Sequence, residues 1–121
     1  MLICNFSGAV APEIGKRRPV VVITPRHITR SRLVTVVPLS TTPPDPVREY
    51  HYKLGRVLYL DRSHESWAKC DLVMSVSLDR LSRIRASAGH YTAGSVHEED
   101  LRRIRIAAAR SFGIDGSEFR A

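Results

Sequence analysis

The chain has 121 residues, 43% of them hydrophobic and 26% charged. That length and balance fit one folded domain spanning residues 1–121, and they exclude a disordered chain or a miniprotein held by staples. Nineteen Lys and Arg against twelve Asp and Glu leave a net charge of +7, which favours a polyanionic partner: RNA, DNA or an acidic protein segment.

No stretch approaches eighteen apolar residues, and residues 1–15 lack a basic start followed by an apolar core. The expectation is a soluble cytoplasmic protein with no membrane contact. Cys4 and Cys70 lack metal spacing and are too few for a disulfide scaffold, so both read as free buried thiols. The five histidines are scattered without ligand spacing, and no glycine-rich phosphate loop is present. Neither a metal nor a cofactor is expected.

In chain order, Leu2 to Phe6 reads as a short first strand, followed by a loop broken by Gly8, Pro12 and Gly15 that carries Glu13. Lys16, Arg17 and Arg18 then stand directly before Pro19 and a β-branched run. Val20 to Thr24 suits a pleated, half-buried surface, so a buried strand is expected there, with Pro19 at its start. Arg18 would sit at a rigid strand entrance, where its planar fork can meet a phosphate at little ordering cost. A solvated basic loop is the plainer alternative. Pro25 to Ser31 is a polar turn with Arg26 and His27. Residues 33–39 form a second buried strand, with Pro38 expected at its edge or end.

After Ser40-Thr41-Thr42, three prolines at 43, 44 and 46 force a loop. Residues 47–53 alternate as an edge strand, Val57 to Leu60 continue the sheet, and 61–65 make a polar turn. Residues 67–73 form a further strand, with Trp67 and Cys70 packed and Lys69 and Asp71 on the opposite face. Ser77 to Leu81 reads as one helical turn, and a small strand surrounds Tyr91. The one clear helix begins at Ser95, which has capping-box spacing to Glu98. Leu101, Ile104, Ala108 and Phe112 give it one apolar face, and Gly113 stops it. Short strands followed by a terminal helix point to a mainly β protein with some α: a small, strongly curved, barrel-like sheet.

Three clusters fall at or near strand ends: Arg18, Ser40 with Thr41, and Lys69 with Asp71. Arg18 offers two parallel donors to a phosphate, and Ser40 offers a hydroxyl to a non-bridging oxygen. Asp71 can accept a proton; Lys69 can donate one or neutralise developing charge. RNA carries its own nucleophile in the 2′-hydroxyl, so a base, an acid and oxyanion stabilisers suffice to cleave it without metal and leave a 2′,3′-cyclic phosphate. Each group also has a plain structural role. Ser40-Thr41-Thr42 can be a turn bonded to its own backbone, Lys69 and Asp71 a surface ion pair, and Trp67 a core residue.

The blocks Glu13-x-x-x-x-Arg18-Pro19-Val-Val-Val-Ile23, Val37-Pro38-Leu39-Ser40-Thr41 and Trp67-x-Lys69-Cys70-Asp71, with a late helix, resemble the MazF/PemK/Kid toxins of type II toxin–antitoxin systems over roughly residues 8–114. The resemblance implies a small SH3-like barrel of the CcdB/Kid/MazF kind with a C-terminal helix. It also implies a homodimer, a sequence-selective endoribonuclease cutting single-stranded RNA, and a cognate antitoxin whose acidic, disordered tail lies across the RNA groove. Arg18 falls on the family's catalytic arginine. Ser40 stands where a threonine is usual, Asp71 matches the base proposed in the Kid-like branch, and Lys69 replaces an arginine proposed as acid. Lysine keeps the charge and loses the fork. Glu13, Lys16, Arg17, Arg26, His27, Thr41 and Trp67 are the remaining candidates for RNA contact. The opening loop is shorter than the family's. Two other functions share such a fold: a non-catalytic SH3-like module that binds RNA or protein, and a CcdB-like gyrase poison acting near the end of the helix. The tail Phe112-Gly113-Ile114 lacks the Trp-Gly-Ile ending of that branch.

Overall fold

The computed structural model describes residues 1–8, 15–28, 32–55, 65–87, 89–92, 94 and 96–115. Glu13, Ser95 and the strand expected over 57–60 lie outside these residues. Among the described residues, nine strands and one α-helix follow in order: β1 (Leu2–Asn5), β2 (Arg17–Val22), β3 (Leu33–Ser40), β4 (His51–Lys53), β5 (Trp67–Lys69), β6 (Met74–Ser77), β7 (Leu81–Ser82), β8 (Ile84–Ser87), β9 (His90–Thr92) and α1 (Glu98–Ser111). Seven strands form one sheet in the order β4-β5-β3-β2-β1-β7, with β6 also paired to β3; β8 and β9 form a separate hairpin. The pairings described are all antiparallel. The expected mainly β sheet with a terminal helix is what the chain forms.

β3 is the hub. Its first half pairs with β6 through Val36, and its last two residues pair with β5 from Leu39 onward. Pro38 therefore lies inside the strand, not at its end, and is fully buried. It sits where the neighbour on one side changes, so its missing N–H costs no ladder bond on that side. β2 likewise starts three residues earlier than expected, because β1 offers partners to Arg17 and Arg18 through Asn5 and Cys4. Pro19 faces Ile3, while pairing to β3 begins only at Val20. Arg18 is thus held inside a strand rather than at its entrance.

The strand expected over 67–73 breaks after Lys69. Cys70–Leu72 form a 3-10 turn; the Cys70 N–H still donates to Tyr50 O at 3.1 Å, in register with the β4–β5 pairing, and the chain turns away after it. β5 and β6 pair in succession along the same edge of β3, and the turn takes up the extra residues between them, with Leu72 exposed on it. The strand expected over 47–53 is confined to β4; before it, the His51 N–H closes a turn on Arg48 O. The helical turn near residue 79 is present as a 3-10 turn at Leu78–Arg80, capped by the Ser77 hydroxyl.

Two apolar clusters hold the sheet. On one face Val21, Val37, Leu39, Ala68 and Cys70 pack with Ile104, Ala107 and Ala108 of α1. Burying one such side chain as large as Ile104 contributes roughly 1.5–3 kcal/mol. On the other face Cys4, Phe6, Val20, Val36 and Val76 make a smaller cluster. Both cysteines are free and buried, as expected. α1 starts at Glu98 rather than Ser95, because the Nδ1 of His97 accepts the Glu99 N–H at 3.3 Å and so serves as the cap. Three acids fill the first turn, where the helix dipole favours them. Gly113 ends the helix at φ 84°, a conformation glycine adopts without a side-chain clash. Phe112 does not join the apolar face and is 69% exposed. Among the described residues, no helix is long and apolar enough to cross a membrane.

Candidate active site

The site follows from strand register. β2 and β3 pair Val22 with Val36, Val21 with Val37 and Val20 with Pro38. Arg18 stands two residues before Val20 and Ser40 two residues after Pro38, so both fall at the same end of the β2–β3 pair, just beyond the paired residues. Side chains alternate along a strand, so Arg18, Val20, Pro38 and Ser40 share the face away from α1. Ser40 pairs on its other side with Trp67, and Trp67 with Lys53. A row of Ser40, Trp67 and Lys53 therefore crosses three strands, with Arg18 at the same end of β2 on the same face. Directly opposed residues have Cβ atoms about 4.5–5.5 Å apart. In the adjacent row Lys69 pairs with His51 on the same face.

Arg18, Ser40, Trp67 and Lys53 are each tethered. Lys16 takes a left-handed turn at φ 66°, and the Arg18 Nε donates to Gly15 O at 3.2 Å. That bond occupies one donor of the guanidinium and leaves its two-pronged Nη end to other acceptors. Ser40 Oγ accepts the Thr42 N–H at 3.1 Å, so the self-bonded turn read from the sequence is present. Because the oxygen accepts, its own proton remains to be donated. The hydroxyl can serve turn and substrate together. Trp67 is half-buried, and its Nε1 donates to Glu65 Oε2 at 3.2 Å. The Lys53 ammonium lies 2.8 Å from Glu65 Oε1 and, with the Trp67 bond, holds that carboxyl below its ordinary range.

Asp71 sits on the 3-10 turn after β5, so the two-residue alternation does not place it. Its carboxylate Oδ1 lies 3.9 Å from His51 Nε2. Asp71 thus lies against a histidine on the neighbouring strand, in place of the expected pair with Lys69. Sequence spacing carries no signal for this, since the two residues belong to different segments and meet only through the pairing of β4 with β5.

The other candidates scatter. Arg17 alternates away from Arg18, and its Nη2 donates to Ser82 Oγ at 3.1 Å. Arg26 and His27 are exposed in the turn leaving β2, at the opposite end of the β2–β3 hairpin from Arg18 and Ser40. Lys16 and Thr41 are exposed beside Arg18 and Ser40. Burial pushes the Cys70 thiol up to about 12, so it is no nucleophile at neutral pH.

This curved sheet with a late helix is shared with solved toxins. MazF-mt6 of Mycobacterium tuberculosis superposes with a TM-score of 0.66 at 20% identity, over 95% of this chain and 99% of that one. MazF of Deinococcus radiodurans gives 0.67 at 18% identity, over 93% of each chain. A mycobacterial endoribonuclease solved in complex with its cognate antitoxin gives 0.67 at 17% identity, over 93% of this chain and 90% of that one. At the sequence level, residues 1–112 match the model of the PemK-like, MazF-like toxins of type II toxin–antitoxin systems, and the chain belongs to that family. The uncharacterized protein YifN of Escherichia coli (strain K12) is 31% identical over 117 residues, covering 90% of this chain and 77% of YifN.

Proposed function

We propose that this toxin is an endoribonuclease that cuts single-stranded RNA, with sequence selectivity and without metal, by attack of the 2′-hydroxyl on the neighbouring phosphorus. The observation that supports the reading is that Arg18 and Ser40 fall at the same end of β2 and β3 on one face, with Trp67 and Lys69 of β5 beside Ser40 on that face. A phosphodiester laid across that face meets the Nη fork of Arg18 and the Ser40 O–H at its non-bridging oxygens, where charge builds in the transition state. Asp71 accepts the 2′-hydroxyl proton. The 2′-oxygen bonds to phosphorus, the bond from phosphorus to the 5′-oxygen breaks, and Lys69 protonates the departing oxygen or neutralises it. The products are a 2′,3′-cyclic phosphate and a 5′-hydroxyl. Trp67, fixed by Glu65, offers a ring on which a neighbouring base can stack. Lys16 and Thr41 complete the RNA-contacting set near the site, with Arg17, Arg26 and His27 further from it; Glu13 joins the set on the sequence motif alone.

The partners follow from the same reading. A cognate antitoxin with an acidic, disordered tail would cover this basic face in the cytoplasm, and the mycobacterial neighbour solved with its antitoxin supports such a partner. The toxin acts as a homodimer. Ile28, Leu33 and Leu78 are exposed apolar residues at adjoining hollows of about 340 and 210 Å³, a surface suited to cover by another chain.

The chemistry is tested by offering two forms of one RNA strand, identical except for a 2′-deoxy sugar on the 5′ side of each cut. The all-ribose strand is expected to be cut and the substituted one to stay intact. Equal cutting of both would remove the 2′-hydroxyl from the mechanism.

A further inference from the structure

His51 joins two groups that no motif connects. Its side chain is 10% exposed, against 40% for Asp71. The Arg48 backbone N–H donates to His51 Nδ1 at 3.0 Å. A ring nitrogen that accepts an N–H carries no proton, so in the neutral imidazole the proton is on Nε2. That atom faces Asp71 Oδ1 at 3.9 Å. The Tyr50 ring packs edge-on against the imidazole with centroids 4.6 Å apart. Tyr50 O also takes the Cys70 N–H at 3.1 Å. The residue before His51 is thereby tied to the residue before Asp71, so the backbone holds ring and carboxylate in step.

We infer that His51 is the positioning residue for Asp71: its Nε2–H engages one carboxylate oxygen and leaves the other aimed at the 2′-hydroxyl. The inference rests on the ribonuclease reading above. A neutral imidazole suits this task because it orients the carboxylate without cancelling the charge that makes it a base. The cation of the site is supplied separately, by Lys69 facing His51 from β5. Of the other charged groups around the ring, Lys53 on the same strand face is engaged by Glu65, and Arg48 and Glu49 precede it in the loop. α1 packs on the reverse face, where Asp100 is taken by Tyr52. A gap of 3.9 Å exceeds a direct hydrogen bond. It closes by rotation of the exposed carboxylate or through one bridging water, as catalytic contacts tighten when substrate docks.

Two measurements on the full chain decide it. In nitrogen-15 spectra the His51 ring should show the Nε2–H form, and its shifts should move in Asp71→Asn. For cleavage, His51→Phe should lower kcat roughly tenfold or more while KM stays within about twofold. His51→Gln, which keeps an amide N–H near the Nε2 position, should recover most of the loss. In the Asp71→Asn background, His51→Phe should cost less than about twofold further, since its partner is already gone. Ring shifts indifferent to Asp71→Asn, or losses that multiply in the double variant, would overturn the inference while leaving the ribonuclease reading intact. Wild-type protein that cuts no RNA would overturn the ribonuclease reading and take this role with it. The spectra and His51→Gln also guard against a His51→Phe chain that merely misfolds.

Discussion

Ser40 carries two duties through one oxygen, and they separate by substitution. Its lone pair holds the Thr42 N–H, and its proton is free for a phosphate oxygen. Ser40→Ala removes both. The turn loses a hydrogen bond worth about 1 kcal/mol, and kcat should fall about a hundredfold if the hydroxyl stabilises the transition state. Ser40→Thr keeps the oxygen and the proton and should retain activity within about tenfold. Single-turnover cleavage beside a thermal melt checks this: comparable activity for Ala and Thr would confine Ser40 to the turn. At this scale the sequence nominated Arg18, Ser40, Lys69 and Asp71, because each sits in a short block whose order and spacing carry a resemblance. It was silent on His51. The partner of Asp71 lies 20 positions earlier in the chain, and only strand pairing brings the two together. It also put Arg17 with Arg18 as one cationic cluster, whereas the alternation of β2 sends them to opposite faces.

The join between sheet and helix has its own titrating contact. Tyr52 on β4 donates to Asp100 of α1 at 2.5 Å, and that bond, with burial, pushes the phenol up to about 12 from its ordinary 10.0. A group whose pKa is raised on folding contributes its full stabilisation below the unfolded value and loses it as pH rises through the folded one. The stability gap between wild type and Tyr52→Phe should therefore be constant below pH about 10 and shrink between about 10 and 12. Urea titrations across that window test it, and a gap that widens with pH would contradict the assignment. Elements were legible in kind more than in extent. The β-branched runs at 20–24 and 33–39 announced buried strands, and Gly113 announced the helix end. β2 nevertheless began earlier because β1 supplied partners. The strand expected through Val73 stopped at Lys69, where the 3-10 turn Cys70–Leu72 sets the chain in a new register with β3. Such boundaries are set by neighbours distant in sequence, which local preference does not contain.

At the scale of the whole molecule, the net charge of +7 fits a polyanionic substrate, and the exposed Ile28, Leu33 and Leu78 fit a second chain. Sedimentation at micromolar concentration should give a species of twice the 13.6 kDa chain mass. A species of single mass would argue against the homodimer without touching the cleavage site, since Arg18, Ser40, Lys69 and Asp71 all belong to one chain. The overall fold was legible because alternation, proline placement and one capped helix agreed with one another. The assembly of the site was not, because it depends on β3 changing partners midway.

The most direct test of the central claim is a cleavage assay on a long, mixed-sequence single-stranded RNA in EDTA, wild type beside Arg18→Ala. Discrete cuts bearing 2′,3′-cyclic phosphate, reduced at least about a hundredfold in a folded Arg18→Ala protein, are the predicted result. An intact RNA with folded wild type, or equal cutting by both proteins, would contradict it.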